Sequence, residues 1–467
     1  MLLTTIAEWK RILKHMHSIN ENRLTKFIVT MATPIALQNL INFSVNMVGT
    51  FMLGQLGEKP LTAFSLANQV FFILSMVIYG IGEGANVLVA QYWGRKDTNS
   101  IHKVMTCAYS IAIGFSTLLC LAALLIPEEV MGIFIKDRTV IGLGAEYLRV
   151  IAVSYLFYAV TAVTTCVLRA VNTVMISMLL STCTLCINLI LSYTLIFGSF
   201  GAPRLGITGA AIGTMVSRIA EFIILLLYLT LSEDKLRLRL RKLLKLDKRI
   251  AMAYLTFSIP VILNELFWAL GMSVVAMILG RMGSEVVAAN SIYASVSDFS
   301  SSLFSGINSC AGVLVGNAIG AHDYPRMEEL KKRFKRISFI AGLIGAFVML
   351  ISSSVVVDWY QVNDLTKSYA GKIMLVGAVF ELFRAMQTMN MMGILRGGGD
   401  VKFTMANDLI FLWGFSIPLG LLAGLVWNWP IAAVYLVLKF DQAIKKGTSE
   451  WRLKSGKWMK DVTTAES

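Results

Sequence analysis

Charged residues are scarce in this chain. Only 15% of its 467 residues are Asp, Glu, Lys or Arg, 56% are hydrophobic, and the mean hydropathy is +0.68. A soluble protein carries roughly 25% charged residues, so the composition excludes an ordinary soluble domain. Apolar runs of about 20 residues, the length that spans a bilayer, recur without the period-two alternation of barrel strands. The sequence predicts an all-α polytopic membrane protein.

Residues and motifs typical of enzymes are also sparse. The chain has four His and six Cys, and it contains neither a Gly-Lys-Ser/Thr phosphate loop nor a His-Glu-x-x-His motif. All six cysteines lie inside apolar runs, so we interpret them as packing residues. We expect no enzyme activity, no cofactor, no metal site and no nucleic-acid partner. The positive-inside rule explains the net charge of +14.

About twelve membrane-spanning helices are predicted. They lie at 27–54, 61–92, 103–126, 143–168, 173–198, 207–231, 251–280, 286–319, 337–357, 369–394, 402–426 and 430–444. Lys439 and Asp441 interrupt the last of them. Basic residues collect in alternate loops, which predicts that both termini are cytoplasmic. We expect a monomer in the cytoplasmic membrane, and the lipid bilayer and a small amphipathic or cationic substrate as its partners.

The chain contains an internal repeat. A shift of 226 residues (260 − 34 = 226) superimposes many identical residues. The matched pairs include Pro34 with Pro260, Gly54 with Gly280, Gly94 with Gly320 and Asp97 with Asp323. Hydrophobic composition alone does not produce such matches. The repeat predicts two six-helix lobes related by a pseudo-twofold axis along the membrane normal, with the substrate site between them.

The repeat also predicts the domain organisation. An amphipathic cytoplasmic lead-in occupies 1–26, and an amino-terminal lobe follows at 27–231. A basic cytoplasmic linker at 232–250 joins it to a carboxy-terminal lobe at 251–448, and a cytoplasmic tail occupies 449–467.

Four stretches of the sequence form a distinctive, partly duplicated pattern. They are Pro34 to Gly57 with its partner Pro260 to Gly283, Val87 to Gly94, Leu168 to Asn172 with its partner Leu395 to Asp400, and Leu205 to Ala211. In order and duplication they resemble the multidrug and toxic compound extrusion (MATE) family. The resemblance implies two lobes facing a central cleft. It also implies an antiporter that exports organic cations or other amphipathic compounds in exchange for H⁺ or Na⁺.

A flippase for a lipid-linked precursor is the second hypothesis, because such proteins have a distantly similar fold. A cleft for anionic headgroups is expected to be basic, and such proteins often have additional helices. Here the predicted count is about twelve, and the charges inside the predicted spans are mainly acidic.

Acidic residues inside the predicted spans are the candidates for cation or substrate coupling, since such residues are costly and mark ion paths. The candidates are Glu265, Glu381, Asp298 and Asp408. Glu265 lies near the middle of the seventh span, where the resemblance implies a cation-binding acid. Alternatively, it is a structural carboxylate bonded to a neighbouring helix. Glu381 is either a second cation ligand or the partner of Arg384, three residues later on the same helical face.

Amides occupy the corresponding positions in the first half. The repeat partner of Glu265 is Asn39 (265 − 226 = 39), and Gln38, Asn42 and Asn46 share one face of the first helix. We predict that these amides and Asn264 line an aqueous cleft, with bonding to a neighbouring helix as the alternative.

Overall fold

The computed structural model describes residues 21–233, 235–236, 247–355, 357 and 362–463, without the side chains of 21–25, 43, 45–47 and 303. The described residues form helices and connecting turns and contain no strand. Most of the predicted lead-in and linker lies outside these residues, and so does the side chain of Asn46. The limits of the two lobes therefore stay a prediction of the repeat.

The first half of the chain contains eight helices. They are α1 (Glu21–Gly54), α2 (Glu58–Gly94), α3 (Thr98–Leu125), α4 (Pro127–Gly132), α5 (Arg138–Ile151), α6 (Ser154–Ala170), α7 (Met175–Phe197) and α8 (Ile207–Leu231). The fourth predicted span is bent, since α5 and α6 meet at an angle of 56°.

The second half contains seven helices. They are α9 (Lys248–Met282), α10 (Ser284–Gly320), α11 (Tyr324–Ser354), α12 (Asp364–Thr388), α13 (Val401–Phe411), α14 (Ile417–Leu421) and α15 (Ile431–Lys454). A π-helical turn at Met389–Leu395 extends α12. Two more, at Leu412–Ser416 and Leu422–Val426, join α13 and α14 into one crossing.

Within the described residues, eight helical segments are long and apolar enough to span a membrane, and there are nine if the bent α5–α6 pair is counted as one span. Helices α1, α12 and α15 occupy the remaining three predicted positions and pack against neighbouring helices. The predicted all-α membrane fold is confirmed.

Helix caps, rather than hydropathy, set several helix ends. Helix α11 begins at Tyr324, well before the predicted span at 337–357, because the Asp323 side chain accepts a hydrogen bond from the Arg326 amide at 3.2 Å. Its repeat partner Asp97 caps α3 by accepting from the Asn99 amide at 3.1 Å. The last helix continues to Lys454, beyond the predicted end at 444, because hydropathy does not register charged residues that are paired inside the bundle.

The two halves pack closely at one end of the bundle, which we call the basic end. It carries the loops at 95–97 and 321–323, the start of α9 and the residues after α15. A Cβ atom on Gly94 would overlap the Asn317 carbonyl oxygen, and one on Gly320 would overlap the Gln91 carbonyl oxygen. Because Gln91 and Asn317 are repeat partners (317 − 226 = 91), the two contacts are related by the pseudo-twofold axis.

Residues Ser455–Thr463, which we call the tail segment, return to this end. The Lys460 amide donates to the Gly398 carbonyl oxygen at 2.9 Å. The Gln91 amide group donates to the Lys460 carbonyl oxygen at 3.1 Å and accepts from the Val462 amide at 2.9 Å. Arg95 forms an ion pair with Asp461 at 3.2 Å. The tail segment therefore holds both halves together at the basic end.

Candidate functional site: a charged cavity between the two halves

A cavity of ≈ 490 Å³ lies where the second half meets α2 of the first half, which contributes only Tyr79 and Glu83 to the described wall. Its wall includes Trp268 and Leu279 from the half of α9 remote from the basic end, and Asn290 and Ser309 from the first two thirds of α10. The cavity therefore extends towards the opposite end of the bundle, while the glycine contacts close the basic end.

Glu265 is paired with an arginine. Both terminal nitrogens of Arg396 donate to Glu265 Oε1 at 3.1 Å, and the two residues are 7% and 4% exposed. Arg396 follows the π-helical turn of α12 and lines the cavity. The geometry supplies the neighbouring-helix partner that the structural interpretation of Glu265 requires. A role of Glu265 in coupling stays a prediction.

A second buried pair lies in the first half. Arg169, at the end of α6, donates to Glu83 Oε1 on α2 at 3.1 Å. Arg169 and Arg396 are repeat partners (396 − 169 = 227), but their carboxylates lie on different helices of the repeat, α2 and α9. In the sequence, these arginines were identified only as part of the duplicated stretches. Their duplication inside an apolar chain was the signal for a buried role.

Asp408 belongs to a cluster of three charges, which we call the triad. The Lys445 ammonium lies 3.0 Å from Asp408 Oδ1 and 2.8 Å from Asp441 Oδ2, and Asn264 Nδ2 donates to Asp408 Oδ2 at 3.2 Å. All three charged residues are buried and line the cavity. Lys445 lies one residue beyond the predicted end of the last span at 444. The four-residue spacing from Asp441 was the signal that one helix carries both.

Glu381 and Asp298 differ in their surroundings. Glu381 is buried and lies 3.4 Å from Arg384, which also donates to the Ser297 carbonyl oxygen at 3.3 Å. The Asp298 carboxylate is exposed to the cavity and has no hydrogen bond or ion pair among the described residues. Lys439 faces the same cavity. Asp298 therefore offers a carboxylate without a protein partner.

The amides predicted to line the cleft do not belong to the described wall of the cavity. Asn39 donates to the Ser305 hydroxyl on α10, and Asn264 is held by Asp408. Gln38 is half-buried and Asn42 is exposed, and neither belongs to the described wall of the cavity. The bonds of Asn39 and Asn264 correspond to the alternative interpretation, bonding to a neighbouring helix. A cleft-lining role for these amides stays a prediction.

The duplicated architecture agrees with comparisons to known proteins. The MatE family model matches residues 34–194 and 260–422, one stretch in each half. The chain belongs to the MATE family. A probable multidrug resistance protein, YoeA, of Bacillus subtilis is 23% identical over 392 residues, covering 82% of this chain and 84% of YoeA. A probable multidrug resistance protein, NorM, of Thermotoga maritima is 24% identical and covers 94% of each chain.

Solved structures of MATE proteins have the same fold. One, described as an outward-facing multidrug resistance MATE transporter, has a TM-score of 0.84 at 16% identity, covering 93% of this chain and 96% of its own. A transporter from Pyrococcus furiosus, described as having a binding pocket of reverse polarity, has a TM-score of 0.83 at 17% identity. It covers 93% of this chain and 96% of its own. This MATE protein is a multi-pass membrane transporter.

Proposed function

We propose that this MATE transporter is a secondary antiporter that exports organic cations or other amphipathic compounds in exchange for H⁺ or Na⁺. The observation that carries the proposal is the cavity between the halves, closed at the basic end and bordered by buried carboxylates. With both termini in the cytoplasm, as the positive-inside rule predicts, this arrangement is outward-facing. Rocking of one lobe against the other would open the basic end instead.

We relate the exchange of a substrate cation for a coupling cation to the charged groups of the cavity. Glu265 and Asp408 are each held by an internal cation, Arg396 or Lys445. A charge inside a membrane protein is costly unless it is compensated, so a substrate cation and a coupling cation compete for the same negative charge. Asp298 has no such partner, and we propose that it makes the first contact with a cationic substrate.

The rest of the cavity wall favours amphipathic substrates. Trp268, Met272 and Tyr293 supply large apolar surfaces, and a thioether adapts to varied ligand shapes. The description of the relatives as multidrug resistance proteins favours drug export over the flippase alternative.

The test is efflux of a fluorescent lipophilic cation from proteoliposomes containing the full-length protein. Proton and sodium gradients are imposed separately, with a third arm that has ATP and no gradient. We expect efflux with at least one ion gradient and none with ATP alone. Lipid flipping with no response to either gradient would instead establish the flippase.

A further inference from the structure

The buried charges of the described residues do not all balance. Four buried carboxylates each pair with one arginine, namely Glu83 with Arg169, Glu221 with Arg218, Glu265 with Arg396, and Glu381 with Arg384. The buried carboxylate of Asp400 instead pairs with two cations, Arg452 and Lys460. The triad is different, because two carboxylates share one ammonium. When every group is ionised, the triad carries one negative charge in excess.

The three groups that carry this excess charge are buried. Asp408, Asp441 and Lys445 are 9%, 6% and 4% exposed, on two helices, α13 and α15. An uncompensated charge inside a membrane protein is energetically costly. Binding of one monovalent cation removes that cost, so the triad has the capacity to take up one positive charge.

Asn264 gives a second, independent indication. It is 3% exposed, its Nδ2 bonds to Asp408, and its Oδ1 has no hydrogen-bond partner. A buried amide oxygen without a donor is unfavourable. An additional hydrogen-bond donor beside Asp408 would satisfy this oxygen.

The charged groups around the triad do not neutralise its excess negative charge. The groups on neighbouring elements are Glu265 on α9, Arg396 after the π-helical turn, Arg384 on α12, Asp298 on α10 and Lys439 on α15. Arg396 and Arg384 are bound to their own carboxylates, and Lys439 lies against the rings of Tyr293 and Tyr435.

We propose that the triad of Asp408, Asp441 and Lys445 binds one proton and is the coupling-ion site. The proposal rests on the antiporter function and identifies its ion. In the uptake step, a proton from the outward cavity forms an O–H bond with an oxygen of Asp408 or Asp441. In the release step, that bond breaks and the proton returns to water. A proton suits the triad better than Na⁺, because the ammonium already contacts both carboxylates.

The consequence for transport is direct competition. A cationic substrate entering the cavity supplies the positive charge that the triad lacks, so the proton is no longer required for neutrality. Binding of the substrate therefore expels the proton, and uptake of a proton from outside expels the substrate.

The test measures proton release from the purified full-length protein in weakly buffered detergent, with a pH indicator, on addition of tetraphenylphosphonium. We expect about one proton per bound cation for the wild type. Asp441→Asn should release none, because the remaining Asp408 and Lys445 are balanced. Asp441→Glu should restore release. The matched control Glu221→Gln removes a buried carboxylate paired with Arg218 and should release as the wild type does.

The outcomes separate the two proposals. If wild-type proteoliposomes export the cation but Asp441→Asn and Asp441→Glu both release protons normally, the triad proposal fails and the antiporter stands. Displacement of the probe by NaCl at constant pH, lost in Asp441→Asn, would replace H⁺ with Na⁺ and overturn the proton assignment. Absence of export under either gradient would remove the antiporter proposal itself.

Discussion

Removing the carboxylate of Glu265 tests two interpretations of this residue together. Glu265→Gln leaves the Arg396 guanidinium, 4% exposed, without its ionic partner. Breaking a buried ion pair from one side costs about 3–5 kcal/mol, because the remaining charge is uncompensated. The unpaired arginine also faces the cavity, where it would repel a cationic substrate. We therefore expect a destabilised protein that still inserts and no longer supports gradient-driven efflux.

The double variant Glu265→Gln with Arg396→Met separates stability from coupling. Removing the second charge should recover about 2 kcal/mol or more of the unfolding free energy, since neighbouring charges couple strongly. If Glu265 takes part in coupling, efflux should stay absent even though the repulsion is gone. The measurements are denaturant titrations in detergent and proteoliposome efflux for all four members of the cycle.

Two results would refute this reasoning. Additive stability losses in the double variant would show that the pair has no energetic coupling. Full recovery of efflux in the double variant would show that Glu265 only neutralises Arg396, and the structural interpretation would then replace the coupling role.

Three further predictions concern the basic end. Gly320→Val should cost about 1–3 kcal/mol of unfolding free energy, because its side chain would overlap a carbonyl oxygen. Gly280→Val, whose Cβ would have no neighbour within 4 Å, is the matched control, and an equal loss there would contradict the packing argument. Gln91→Ala should make the tail segment cleavable in limited proteolysis, since two hydrogen bonds are lost; an unchanged cleavage rate would contradict this. The Lys103 hydrogen bond lowers the pKa of Asp247, so its stabilisation is complete above the unfolded pKa of about 4 and is lost at lower pH. Unfolding of the wild type and Asp247→Asn between about pH 2 and 6 measures this loss, and parallel curves would refute it.

The helical fold was predictable because its determinants are local or repeated. Apolar runs of bilayer length give the crossings. Matches such as Gly94 with Gly320 and Asp97 with Asp323 give the duplication, because close backbone approach and helix capping each require a particular residue type. Helix ends were less predictable, as at Tyr324, because capping overrides hydropathy.

The candidate site was only partly predictable. Glu265, Glu381 and Asp408 were identifiable as acids within apolar segments. Their cationic partners were harder to assign, because Arg396 and Lys445 stand near predicted span ends, where a basic residue is ordinarily solvated. The four-residue spacing of Asp441 and Lys445 was the one local indication of pairing.

The sequence by itself determined the fold class, the duplication and the set of acids placed in the membrane, because hydropathy and residue identity are properties of the chain. Only the tertiary structure decided which cations neutralise Glu83, Glu265 and Asp408, because those partners lie on different helices. It also decided which end of the cavity is closed, and that the triad, unlike the one-to-one buried pairs, is one positive charge short of neutrality.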